Sequence, residues 1–353
     1  MKLNLFCVIV YIVFGLLLVI GIKPKRCENA GQFGERINSF RGVMALEIII
    51  GHCVRNESNL LAPFGHFMLV GVGYFFFVSG FGLAKSYATK ENYLKTFLVK
   101  RWLRLLYVML IGLIVTTVIA NISQCKTVLA SLPMKPLLLL KEFVVRTNWY
   151  LRELFILYVL FFLIYRFCSK RKSSLLLLTT IALCIVLGAL GYTRCWYAST
   201  LCFPMGIIVY ENYDLLINRL CSVKGYLMTL VLFTVGLSEM FWGGKLTHLT
   251  FTQSEYIVGV SNNILCIGVV LLLIAFCFAF DSGNIVCEKL TAISTEMYIT
   301  QFVLVFLAEA TEMNAAVKIL FVVTIDILVS VIIHPLLKIG KHRNKKTNIK
   351  ETA

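Results

Sequence analysis

Apolar runs of membrane-spanning length alternate along this chain with short polar, mostly basic segments. The first run covers residues 3–22 and is followed by a basic-polar linker over 23–36. Further runs predict helices near 38–54, 66–87, 102–121, 149–167, 174–192 and 196–210, and then near 225–242, 259–280, 292–309 and 316–337. Between them lie a short loop at 55–65 with Pro63, a longer one at 122–147 with Pro133 and Pro136, and polar loops at 211–224 and 243–256. The tail from Lys338 is basic and reads as disordered. The pattern predicts an all-α, polytopic integral membrane helical bundle of ten to eleven transmembrane helices. We divide it into an anchor helix with its linker (1–35), a transmembrane domain (36–337) and a basic tail (338–353).

Composition agrees with a membrane protein. Hydrophobic residues make up 59% of the chain and charged residues 15%, against about 25% charged in soluble proteins. The net charge of +16 is not a nucleic-acid signal, because the basic residues cluster in the short segments between apolar runs. Placing the 85–101 block on the cytoplasmic side puts the 23–36 linker, the 166–173 cluster, the 211–224 loop and the tail on that side too. The 122–147 and 243–256 loops then face outward, as the positive-inside rule requires. This predicts a multi-pass plasma-membrane protein with a cytoplasmic C-terminus. The first run has a single lysine before it and no small-residue cleavage site after it, so it reads as a retained anchor with its N-terminus outside. Twelve cysteines stand mostly alone in apolar runs, with no CxxC pair, and no metal site is expected.

Ionisable side chains inside apolar runs mark candidate chemistry. Residues 38–54 carry Arg41, Glu47 and His52. On a helix, Arg41 and His52 share one face about 16 Å apart along the axis, and Glu47 lies off that stripe. Lys100, Arg101 and Arg104 open the 102–121 helix, and Arg101 and Arg104 are i, i+3 neighbours. The sequence has no phosphate-binding P-loop, no HExxH and no GxSxG, which argues against an ATP-driven pump and a serine hydrolase. A transporter of an anionic metabolite or lipid-linked sugar would also place charges along a cavity with a basic mouth.

Five blocks carry a resemblance: RG-x-x-A-x(6)-H at 41–52, GVGYFFFVSGFGL at 71–83, F-x-x-KR-x-x-R at 97–104, WYLRELFILY at 149–158 and ISTEMYITQ at 293–301. In this order they resemble the membrane acyltransferase-3 family, the integral-membrane O-acyltransferases of bacterial surface glycans. Asn38 stands where that family often has an acidic residue, and Gln301 where it has a late histidine. The resemblance implies transfer of an acyl group, with acetyl the expected one, from cytoplasmic acetyl-CoA to a hydroxyl of a cell-surface or exported carbohydrate or lipid-linked glycan. No bound cofactor is implied. His52 is the expected general base, with Arg41 shaping the site. Lys100, Arg101 and Arg104 are the expected acyl-CoA ligands, and Glu47, Trp149, Glu153, Tyr158, Tyr298 and Gln301 the supporting residues.

Overall fold

In the computed structural model, which describes residues 2–55, 60–123, 149–246, 251–282 and 284–350, the apolar runs fold as helix. In chain order these are α1 (Lys2–Val19), α2 (Ala30–Ser39), α3 (Arg41–Cys53), α4 (Ala62–Thr89), α5 (Phe97–Ile122), α6 (Trp149–Phe167) and α7 (Lys172–Ala189). There follow α8 (Cys202–Glu211), α9 (Tyr213–Leu220), α10 (Val223–Leu246), α11 (Phe251–Ala279), α12 (Ile285–Ala292), α13 (Ser294–Ala310) and α14 (Ala315–Lys350). Two short strands, β1 (Ile22–Pro24) and β2 (Phe280–Ser282), pair antiparallel with Lys23 opposite Asp281.

Five helices among the described residues are long and apolar enough to cross a membrane: α4, α5, α7, α11 and α14. Two bent pairs, α9 with α10 at 80° and α12 with α13 at 68°, bring the count to seven. The expected ten to eleven are not reached on length and composition. The shortfall has a physical cause. The helices left out are short, as in the 13-residue α3 and the 10-residue α8, or carry several charges, as α6 does with Arg152, Glu153 and Arg166. In α4, 67% of the spanning window is buried, against 28% in α5, α7 and α14. The bundle is therefore built around α4, with α5, α7 and α14 turning an apolar side outward.

Several predicted loops are structured. The 23–36 linker contains β1 and the start of α2, where the Asn29 side chain accepts a hydrogen bond from the Gln32 N–H and caps the helix. Phe33 and Ile37, four apart, bury one face of α2. Arg36, read from the sequence as part of a basic-polar linker, is buried. Its guanidinium donates to the carbonyls of Lys25 (2.6 Å), Cys277 (3.2 Å) and Phe280 (3.1 Å) and pairs with Asp281 at 3.6 Å. It ties the β1–β2 ribbon to α2. The single helix predicted over 38–54 is broken at Phe40. The 211–224 loop holds α9, because Tyr213, Ile217 and Leu220 form one buried face. The predicted helix over 196–210 begins only at Cys202, after a 3-10 turn at Arg194–Trp196. The 243–256 loop is helical up to Leu246 and again from Phe251, and the tail read as disordered is helical to Lys350. Most of the 122–147 loop lies outside the described residues.

Candidate functional site

A cavity of about 390 Å³ lies between α2, α3, α4, α5, α6 and α13. Each wall is one helix face. Along α4 the lining residues Phe75, Val78, Gly82 and Lys85 follow the helical repeat, and along α5 Arg101, Arg104, Leu105 and Val108 do the same. α6 contributes Tyr150, Leu154 and Tyr158, and α13 contributes Thr295 and Tyr298. Four cations line the space (Arg41, Lys85, Arg101 and Arg104), with one carboxylate, Glu35. Like charges gathered among apolar walls repel one another and lose hydration, so this arrangement favours an anionic occupant.

The cations are held in place from behind. Arg41 opens α3, donates to Asn38 Oδ1 (3.3 Å) and Thr295 Oγ1 (3.5 Å), and stacks over the Phe75 ring at 5.5 Å. The next residue explains how Arg41 comes so near α12 and α13. A Cβ on Gly42 would sit 2.4 Å from the Thr291 backbone nitrogen, so only glycine permits this contact. Thr291 completes the join, its hydroxyl accepting from the Gly42 N–H at 3.0 Å and donating to the Ser39 carbonyl at 2.6 Å. Arg101 donates to the Tyr93 hydroxyl at 3.1 Å and lies over the rings of Tyr158 (5.3 Å) and Phe97 (5.8 Å). Arg104 is within electrostatic reach of Arg101, Arg41 and Glu296.

His52 is not in this cavity. It occupies the other end of α3 and packs against Phe302, with ring centres 4.9 Å apart and the planes tilted by 59°. Phe302 in turn meets Tyr298 (6.4 Å), and Tyr298 meets Tyr150 (5.2 Å). Both tyrosines line the cavity, so the imidazole is one phenylalanine ring removed from its wall. The Tyr150 hydroxyl is hydrogen-bonded to Ser79 of α4.

Of the residues expected from the sequence, Arg41, Arg101, Arg104, Tyr158 and Tyr298 line the cavity. Lys100 does not, because it is one helical step off the face that carries Arg101 and Arg104. Trp149 packs on Trp196, with centroids 6.5 Å apart, rather than facing the cavity. Glu153 is buried and accepts a hydrogen bond from the Thr200 hydroxyl. Glu47 is buried where a Cβ on Gly71 would come within 2.5 Å of its Oε2. Gln301 is buried on α13, donating to the Tyr298 carbonyl at 3.2 Å. Residues outside the predicted set also line the space: Lys85, Tyr150, Ser79 and Thr295. The helical repeat could have found Lys85, which lies ten residues after Phe75, nearly three turns along the same face.

A helical bundle with membrane-length spans and a cavity lined by four cations defines a multi-pass membrane protein with a pocket whose charge suits an anion. The family model described as an acyltransferase domain, acyltransferase-3, matches residues 35–334. The chain belongs to the acyltransferase-3 family and is a membrane acyltransferase in its general class. Comparison with curated proteins gives no match, and comparison with solved structures gives none either.

Proposed function

We propose that this protein moves an acyl group, acetyl as the first choice, from cytoplasmic acyl-CoA to a hydroxyl of a cell-surface or exported carbohydrate. It does so as a plasma-membrane enzyme of ten to eleven crossings with its C-terminus in the cytoplasm. The observation that carries this reading is the gathering of Arg41, Lys85, Arg101 and Arg104 around one cavity in a member of an acyltransferase family. Coenzyme A thioesters are polyanionic, and arginine binds phosphate through paired, charge-assisted hydrogen bonds. In this reading the phosphates meet Arg101, Arg104 and Lys85, and the thioester points along the cavity toward Tyr150 and Tyr298. Arg41, held by Asn38 and Thr295, adds to the positive charge that holds the donor's anionic groups.

His52 is the base that takes the acceptor hydroxyl's proton as the oxygen attacks the acyl carbon; imidazole suits this because it exchanges protons near neutral pH. Family membership favours this over the transporter reading. The test is the O-acetyl content of the purified surface glycan from cells carrying wild type, His52→Ala or no gene, at matched membrane abundance. Acetyl present with wild type and absent with the other two sustains the proposal. Acetyl content equal in all three refutes it. Normal acetylation by His52→Ala, with loss on deletion, refutes the choice of base.

A further inference from the structure

The cavity holds one carboxylate among its four cations, and acyl transfer as described makes no use of it. Glu35 lines the space together with Arg41, Lys85, Arg101 and Arg104, and it is exposed at the rim. Its level along the cavity is fixed by α4. Gly34, the preceding residue, sits against that helix: a Cβ there would be 3.0 Å from the Phe81 ring and 3.9 Å from Lys85 Nζ. Tyr150 meets α4 at Phe75 and Phe76 instead, with ring centres 6.2 Å and 4.8 Å apart. Phe75 and Lys85 are ten residues apart on α4. Glu35 and Tyr150 therefore stand at opposite ends of a space about 15 Å long.

Glu35 also stays apart from a cation that is close by. Among the described residues neither the Glu35 nor the Lys85 side chain forms an ion pair or a hydrogen bond, although the ammonium lies beside the α2 backbone one residue away. A free carboxylate at the mouth of a cationic cavity works against that cavity, because it repels the anions the cations attract. A site for anionic groups alone has no use for it. A site for a ligand that carries a neutral hydrogen-bond donor beyond its anionic part does. Coenzyme A is such a ligand, and its parts run in a fixed order: thioester, pantetheine arm, pyrophosphate, ribose with its 3′-phosphate, adenine. With the thioester toward Tyr150 and the phosphates on Lys85, Arg101 and Arg104, the base comes last, at the rim. The free ribose hydroxyl adjoins the 3′-phosphate, whose charge a carboxylate repels. The 6-amino group of adenine is the donor farthest from the phosphates.

We propose that Glu35 reads the nucleobase of the acyl donor, its carboxylate accepting a hydrogen bond from the 6-amino group of adenine at the mouth of the cavity. The proposal rests on the acyl-CoA reading of the site and adds a specificity-determining residue to it. Glu35 touches the donor far from the reacting carbon, and no bond is made or broken there. An ionised carboxylate has acceptors only, so a base with a carbonyl at position 6 meets repulsion at this point. Discrimination of this kind is strong, because the wrong base leaves a polar group facing its like.

The test compares coenzyme A with its hypoxanthine analogue, in which oxygen replaces the 6-amino group. Binding of each to the full chain, purified in detergent, is measured by titration calorimetry for wild type and Glu35→Gln. Wild type is expected to prefer coenzyme A by about tenfold or more, the worth of a hydrogen bond to a charged group. The amide of Glu35→Gln accepts from an amino group in one orientation and donates to a carbonyl in the other, so the preference falls to within about twofold. The ratio is the informative quantity. Removing a negative charge strengthens the attraction for both phosphorylated ligands alike, and a purely structural role for Glu35 weakens both alike. Equal binding of the two ligands by wild type, or an unchanged preference in Glu35→Gln, overturns the proposal while leaving the acyl-CoA reading standing. Binding of neither ligand by wild type overturns the acyl-CoA reading and the base reading with it.

Discussion

The crossing of α4 and α8 gives the sharpest packing prediction, because there the two helices touch backbone to backbone. A Cβ on Gly206 would lie 2.1 Å from the Phe77 carbonyl oxygen and 2.8 Å from the Phe81 nitrogen, and one on Gly80 would lie 2.1 Å from the Phe203 oxygen. Carbon approaches a carbonyl oxygen to about 3.3 Å even in close helix contacts, so Gly206→Ala forces the helices apart by roughly 1 Å. Neither obstructing atom can rotate away, since both belong to helix backbone. Overpacking costs about 1–3 kcal/mol, and a rigid obstruction puts this site near the upper figure. The better helix propensity of alanine returns about 1 kcal/mol. A net loss of about 2 kcal/mol is roughly a thirtyfold fall in the folding equilibrium. Gly82 is the control on the partner helix α4, where an added Cβ meets nothing within 4 Å. Thermal unfolding of the purified proteins in detergent reads the difference: Gly206→Ala melts well below wild type, and Gly82→Ala at or slightly above it. Equal melting of the two variants would refute the packing argument.

Other outcomes follow from the site and its supports. Arg101→Gln and Arg104→Gln each remove a charged ligand worth about 1.5–3 kcal/mol, so the KM for acetyl-CoA rises about 10- to 100-fold in a labelled-donor assay while membrane abundance holds. His52→Ala removes a general base and lowers turnover by about 10²- to 10⁴-fold, with donor binding by filter or fluorescence assay unchanged. Arg36→Ala strands three carbonyls and Asp281; it is expected to destabilise by about 3 kcal/mol in chemical unfolding.

The helical class and the cationic motifs were legible because their signals are local. An apolar run states its own length, and R-G-x-x-A-x(6)-H places Arg41 and His52 on one helix by spacing alone. What was not legible depended on contacts far apart in the chain. Nothing near Arg36 shows that it will be buried under carbonyls from residues 277 and 280, so the 23–36 segment read as a basic linker. The break at Phe40 is equally hidden, because the reason to start a new helix at Arg41 lies in Thr291. Lys100 was grouped with its neighbours by sequence proximity, but facing is decided by about 100° of rotation per residue, and only Arg101 and Arg104 point inward. Nothing near His334 in the chain announces its partner, Glu296, which α13 brings to 2.6 Å from it.

The separation of His52 from the cations carries its own consequence for the acyl group. The cavity ends at Tyr150 and Tyr298, and Phe302 fills the step from there to the imidazole. An acyl group delivered from the cationic side has to pass this ring, while a two-carbon group needs far less room than a long chain. Phe302 should therefore set the length of acyl chain that is transferred. Each buried methylene contributes about 0.8 kcal/mol, so a hexanoyl group, with four more carbons than acetyl, has roughly 3 kcal/mol of burial to gain once space is made. Phe302→Ala is expected to shift the ratio of hexanoyl to acetyl transfer upward by about 100-fold, and Phe302→Trp to shift it downward. The ratio is the informative quantity, because loss of stability or abundance lowers both rates together and leaves it unchanged. A ratio equal in wild type and both variants would mean that the acyl group reaches His52 by a route that does not pass Phe302, and the aromatic wall would then be packing alone.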